Sequence, residues 1–426
     1  MKRIFCQGWE WNFLRISLLI APILPVVAGL GIIAVLIATC RKEWKSIAAS
    51  RLNRGIGVLS LWLLFVAVLS PRPIEALLGL ANYLPYFFFF VNIRQIVQKP
   101  SQLRELAWVL VIPSVWVVAM GLGQIFLGWG NVPFTAWGYV PYGDPKGRMS
   151  SVFMYANLLG VYLLMILILA IGLWIATFRA WKGDRNRKVS LQLGFLTFAI
   201  TFDSLGIFLT DSRSAWGLGL FAGLLFALYL GWRSIVAGFA AVAGAISIAS
   251  WGPVPLRDVF RSIVPRMIWA RFSDELYPDR PVATLRATQW RFAWEMAQER
   301  PITGWGLRNF SKMYKASTGI WLGHAHNLYL MLMAETGIVG LLMFCAWVAW
   351  VYARGIRLYR FLATKKAGGE LMLFTYLVAF GGCILFNFFD VTLNEPKVNT
   401  TAWLIFASIA GIVRSADGER AREIDR

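Results

Sequence analysis

Residues 152–178 read VFMYANLLGVYLLMILILAIGLWIATF, an apolar run without one charged side chain. Roughly 20 such residues cross the hydrocarbon core of a bilayer. In that solvent a lone segment must satisfy its own backbone, so the run predicts a membrane-spanning helix. Similar runs lie at 56–70, 73–91, 105–126, 192–210, 215–232, 235–251, 327–352, 371–389 and 400–413. Region 13–40 reads as one long span or as a hairpin turning near Pro22 and Pro25, and the basic residues Lys2, Arg3 and Arg15 favour the hairpin. The fold class expected is therefore all-α, a polytopic integral membrane bundle of about 12 spans (11–12), in one domain over 1–426. The alternating segments of about ten residues that build a membrane barrel are absent from the sequence.

Composition agrees, with 58% hydrophobic and only 15% charged residues. A net charge of +20 would suit nucleic acid, but the basic residues gather in short stretches at 41–54, 94–104, 179–188 and 354–366, with Arg233 alone. These are orientation signals that face the cytoplasm, and they exclude nucleic acid as the expected partner. The opposite face then receives 128–150, 211–214, a large loop at 252–325, and 391–399. The loop holds eleven Arg or Lys against six Asp or Glu. Long loops escape the orientation rule, so this excess points to an anionic partner or to lipid phosphates. Met1-Lys2-Arg3 before an apolar run resembles a signal sequence but reads as a retained first span. Cys6, Cys40, Cys345 and Cys383 are scattered and suggest neither a disulfide set nor a metal site. No P-loop, dinucleotide fingerprint, zinc-protease motif or nucleophile elbow occurs, which argues against an ATP-driven pump or a soluble-type hydrolase.

Both histidines of the chain, His324 and His326, fall in GHAHNLYLMLMAETGIVG, where the large loop meets a span. A histidine titrates near neutrality and suits general-base work there; the alternative is an interfacial ring bonded to a loop carbonyl. Asn327 would hold that ring or bind substrate. A metal site built on His324 and His326 would need further ligands, and none is assigned. Glu335 falls roughly 14 Å along the helix from His326, as an intramembrane carboxylate with a structural role, and Gly337 and Gly340 continue a small-residue stripe for close helix packing. Arg213, at the outer end of a span, either snorkels to lipid phosphates or clamps a substrate diphosphate. Residues 285–298 read as an amphipathic helix along the membrane surface, capped by Thr284, with Arg286 beside its free N–H groups. Arg291, Arg308 and Lys312 are further candidates for an anion, or solvated loop charges. Arg148 and Asn157 frame the entry to 152–178, Arg148 as a substrate-binding candidate and Asn157 as a residue that bonds another helix.

The segments RMSSVFMYANLLG, DSRSAW, RATQWRFAWEMAQERPITGWGLRNF and HNLYLMLMAETGIVG resemble, in order and wording, the O-antigen ligase and O-antigen polymerase superfamily of bacterial envelope glycosyltransferases. The resemblance implies transfer of a glycan from a polyprenyl diphosphate-linked donor to a lipid, glycan or protein acceptor hydroxyl. It places a multi-pass protein in the bacterial inner membrane with its active site on the periplasmic face, in contact with the lipid bilayer, using no nucleotide sugar, metal or cofactor. It also implies catalytic roles for His326, Arg213 and Arg286. The first segment departs from the family pattern, because Ser151 and Ala156 stand where Gly and Pro are common. Two other readings remain: a transporter for a small anion such as bicarbonate, and a non-catalytic assembly subunit.

Overall fold

The computed structural model describes residues 8–130, 132–135, 138–141, 146–273, 275, 282–365 and 369–424. The start of the chain, with Lys2, Arg3 and Cys6, and Lys366 of the last basic stretch, lies outside the described residues. The chain is an all-α bundle with one short two-stranded hairpin, β1 (Val132–Thr135) and β2 (Gly138–Val140). In chain order its helices are α1 (Trp9–Ile20), α2 (Pro25–Ala49), α3 (Arg51–Leu69), α4 (Pro73–Gly79), α5 (Leu84–Ile96), α6 (Pro100–Phe126), α7 (Ala156–Gly183), α8 (Arg187–Leu209) and α9 (Arg213–Leu230). They continue through α10 (Arg233–Trp251), α11 (Val254–Ile263), α12 (Arg266–Phe272), α13 (Arg286–Glu299), α14 (Asn309–Thr318), α15 (Leu328–Lys365), α16 (Glu370–Phe386) and α17 (Pro396–Ile424).

Among the described residues ten helical segments are long and apolar enough to cross a membrane, α4 and α5 together forming one, and α16 is a shorter apolar helix. The N-terminal region is a hairpin: α1 ends at Ile20 and α2 restarts at Pro25, which is favoured at a first helical turn. With α16 counted, eleven apolar helical segments fall at the lower end of the 11–12 expected, because α1 is a short helix of 12 residues rather than an apolar span.

The uncharged run that opened the reading becomes α7, which is buried almost throughout. A helix apolar on every side belongs in the middle of a bundle. It packs against α6, α8, α9, α16 and α17. Close approach needs small residues: a Cβ on Gly172 would stand 2.2 Å from Thr375 Oγ1 on α16. By contrast α8 and α10 bury little of themselves, as lipid-facing helices should.

The large loop differs from its expected form. The helix read at 285–298 is α13, and it packs on α15, burying Gln289, Ala293, Met296 and Ala297. Its tryptophans do not share one membrane face: Trp294 is 50% exposed, whereas the Trp290 indole nitrogen is buried. The loop has apolar residues enough for a core of its own, in which Phe292, Phe310 and Tyr314 meet edge to face or stacked. The cap position is Leu285 rather than Thr284.

Helix α15 is broken at Gly337, whose backbone (φ 70°, ψ 175°) is open to glycine almost alone. Residues 301–306 cross the break. The Ile338 N–H donates to Pro301 O, and the Trp305 and Gly306 N–H groups donate to Ala334 O and Glu335 O. From α3, the Trp62 indole donates to Thr336 O. Carbonyls freed by the break are thus met by the loop and a neighbouring helix. Gly337 serves this crossing rather than helix–helix packing, since a Cβ there would lie 1.8 Å from Ile302 O.

Candidate active site

His326 sits one residue before the cap of α15. Asn327 Oδ1 accepts from the Tyr329 and Leu330 N–H groups, both at 3.0 Å, which makes Asn327 the N-cap. The helix start is further tied to α16 by the Leu328 N–H on Asn387 O. His326 itself has φ 50°, a left-handed backbone that a non-glycine residue adopts at some cost. Ser151 and Asp211 share that conformation (φ 53° each) and lie on the two other segments that approach the site.

The ring of His326 is oriented by Asp390, a residue that sequence reading had not assigned to the site. Nδ1 of His326 lies 3.1 Å from Asp390 Oδ1, and Nε2 of His324 lies 3.5 Å from the same oxygen. Asp390 is 1% exposed. Its Oδ1 also accepts from the Val391 N–H, and its Oδ2 accepts from Asn157 Nδ2 at 2.7 Å. The Arg148 guanidinium then donates to Asn157 Oδ1 at 2.6 Å and to Thr210 O at 2.7 Å. One polar chain therefore runs from Thr210, three residues before Arg213, through Arg148, Asn157 and Asp390 to His326. Burial alone would raise the Asp390 carboxyl, but the hydrogen bond and charge of His326, with the charge of His324, hold it below the usual carboxylate range. With an ionised carboxylate on Nδ1, the favoured neutral tautomer of His326 carries its proton there and presents Nε2 as a base.

His324 has a different role in the cluster. Its Nδ1 accepts the His326 backbone N–H at 3.2 Å, so its proton belongs on Nε2, facing Asp390. Burial, with contributions from His326 and Arg286, pushes its pKa down to about 4 against the pull of Asp390. In the window from about 6.5 to about 4 the unfolded chain binds a proton that the folded chain refuses, so stability falls as pH falls. Melting temperature should accordingly drop between pH 6.5 and 4, and His324→Gln should reduce that drop. The donor atoms of His324, His326 and Asp390 lie within 4.8 Å of one another, supplying the third ligand that the sequence lacked for a metal. A metal-bound histidine normally donates through its other nitrogen. Here that nitrogen of His324 accepts, so the cluster fits a hydrogen-bonded dyad with a supporting imidazole better than a metal centre.

Arg286, the first residue of α13, lies close enough to His324 to depress its protonation. Arg213 begins α9, with Ser212 at the cap position. Arg308 and Lys312 turn elsewhere, toward Glu75 of α4 at 3.9 Å and 3.5 Å, and Arg291 is exposed on α13. Glu335 accepts from the Phe310 N–H and is buried beneath the loop. A Cβ on Gly340 would press on Thr336 and the Trp62 indole. The segment bearing Arg148 is organised by Gln124, whose Oε1 accepts from the Ser150 and Ser151 N–H groups at 2.9 Å. The two departures from the family pattern fall at telling positions. Ser151 takes the left-handed backbone that glycine adopts freely, and Ala156 is the first residue of α7, where proline is favoured. Tyr155 before it is already extended (φ −147°, ψ 139°), as a pre-proline residue must be. Ala156→Pro is therefore expected to stabilise the protein by about 0.4–1 kcal/mol, read as a raised Tm.

A model of the O-antigen ligase family matches residues 195–345. The match covers about a third of the chain, and over that stretch the chain is similar to an O-antigen ligase domain. The match takes in Arg213, Arg286, His324 and His326, while Arg148, Asn157 and Asp390 lie outside it. No curated protein matches the chain. The match supports glycosyl transfer of the ligase or polymerase kind in general, and the ten candidate spans among the described residues fit a multi-pass membrane protein.

Proposed function

We propose that the protein transfers a glycan from a polyprenyl diphosphate-linked donor to an acceptor hydroxyl at the periplasmic face of the bacterial inner membrane. The observation that carries this reading is the His326–Asp390 dyad, set at the start of a span with Arg286 nearby. The acceptor O–H gives its proton to His326 Nε2 as its oxygen attacks the anomeric carbon. The bond from that carbon to the diphosphate breaks, and its electron pair leaves with the diphosphate. Arg213 and Arg286 neutralise the charge that develops there. Attack opposite the leaving group inverts the anomeric centre. Asp390 keeps the base in its working tautomer, Arg148 and Asn157 hold Asp390, and Glu335 docks the large loop onto α15. The step is downhill in the donor itself and needs neither a nucleotide nor a metal.

An apolar cavity of about 800 Å³ between α9, α15, α16 and α17 suits the lipid part of such a donor. It starts at Leu328 and Asn387, beside the dyad, and runs along Phe344, Tyr352 and Phe374 to Tyr359.

The clamp is tested by donor kinetics in nanodiscs. Arg213→Ala and Arg286→Ala should each cost about 10²–10³-fold in transfer, the range found when one charge-stabilising donor is removed. They should also weaken inhibition by free polyprenyl diphosphate. Unchanged inhibition in both variants would remove the arginines from the diphosphate site.

A further inference from the structure

Helix α11 is amphipathic in the reverse sense for a helix seated on a protein. Leu256, Val259, Phe260 and Ile263 follow the spacing of one helical face. That face points away from the rest of the chain: Leu256 is 52%, Val259 57% and Ile263 70% exposed. The polar face is the one held inward. Arg261 donates from Nε to Ala249 O at 3.0 Å and from Nη2 to Glu275 at 2.6 Å, and its guanidinium lies 3.9 Å over the Trp269 ring. Arg257 on the same side is two-thirds covered. These contacts fix the rotation of α11, so the exposed apolar stripe is its settled orientation.

What covers the stripe follows from its neighbour. Helix α11 begins three residues after α10 ends and packs against it. Among the candidate spans α10 is the least buried, with Val242 and Trp251 turned outward. Met267 of α12 is exposed as well. Exposed apolar residues therefore recur along α10, α11 and α12 in succession, starting from a helix apolar enough to cross the membrane. Surface helices of this kind sink their apolar side to the headgroup–acyl boundary.

We infer that α11 is a membrane-seated helix, its Leu256–Val259–Ile263 face in the acyl-chain border of the leaflet where α10 emerges, locked at that angle by Arg261. The seat holds the first half of the large loop against the bilayer, and from there the chain runs on to Arg286.

The experiment uses the full-length protein in vesicles of phosphatidylethanolamine and phosphatidylglycerol, with Cys6, Cys40, Cys345 and Cys383 replaced. Single nitroxide labels at Val259→Cys and Ile263→Cys are compared with labels at Asp258→Cys and Ser262→Cys. The ratio of oxygen to nickel-chelate collisions should be several-fold higher at 259 and 263 than at 258 and 262. Arg261→Ala should diminish that contrast and loosen the labels. Equal, water-like ratios at all four positions would overturn the inference. So would dipolar broadening between labels at 259, since a second copy would then be covering the face.

Discussion

Asp390→Asn should lower glycan transfer by about 10²–10⁴-fold, nearly as much as His326→Ala, while the protein still folds and extracts normally. The carboxylate touches no substrate in this scheme and acts through the ring, 3.1 Å from His326 Nδ1. An asparagine can offer an N–H to that nitrogen, which reverses the tautomer and puts the proton where the lone pair is needed. Because the two residues act as one unit, the double variant should be no worse than His326→Ala alone. A merely structural role for Asp390 would give additive losses and a lowered Tm. Asp390→Glu, which keeps the charge but displaces it, should recover part of the rate, and Asp390→Asn should change the shape of the pH–rate profile rather than only its height. Full activity in either Asp390→Asn or His326→Ala would remove the dyad from the chemistry.

Gly337→Ala should have the largest effect on stability of any single methyl addition near the site. The backbone there costs a non-glycine residue roughly 1–3 kcal/mol, and the new Cβ would meet Ile302 O at 1.8 Å. Relief requires residues 301–306 to lift off α15, which breaks the bonds from Ile338, Trp305 and Gly306 across the break. The loop carrying Arg286 is then no longer fixed relative to His326. A lower Tm with loss of transfer is expected, with faster hydrogen exchange at 301–306 as the direct check. Gly340→Ala should be milder, since its Cβ presses on the Thr336 and Trp62 side chains rather than on backbone.

Much of the bundle was legible because each span is a continuous apolar run, which marks a crossing of the bilayer whether the helix is buried, like α7, or faces lipid, like α10. The N-terminal hairpin was one of two readings, favoured by Lys2, Arg3 and Arg15, with Pro22 and Pro25 marking its turn. The break in α15 was not, because Ala334, Gly337 and Gly340 at three-residue spacing are also what a packing stripe looks like, and only the backbone angles separate the two. The seat of α13 was misread for a related reason. Its amphipathic pattern suggested the membrane surface, but the loop supplies Phe310 and Tyr314 as an alternative apolar partner. His324, His326 and Asn157 stood out as polar groups in or beside apolar runs. Asp390 did not, because its meaning depends on partners 64 and 233 residues away in the chain. The replacements at Ser151 and Ala156 weakened the case for Arg148 and Asn157 in sequence. In space both residues join the chain that ends on His326.

The most direct measurement is transfer by the purified protein in nanodiscs, supplied with a polyprenyl diphosphate-linked oligosaccharide and a panel of hydroxyl acceptors, in chelator and without nucleotide. Acceptor-dependent release of polyprenyl diphosphate that disappears in His326→Ala is the outcome required, and the productive acceptor then separates ligase from polymerase. No release with any acceptor, alongside solute uptake into liposomes that survives His326→Ala, would contradict transfer and favour a transporter.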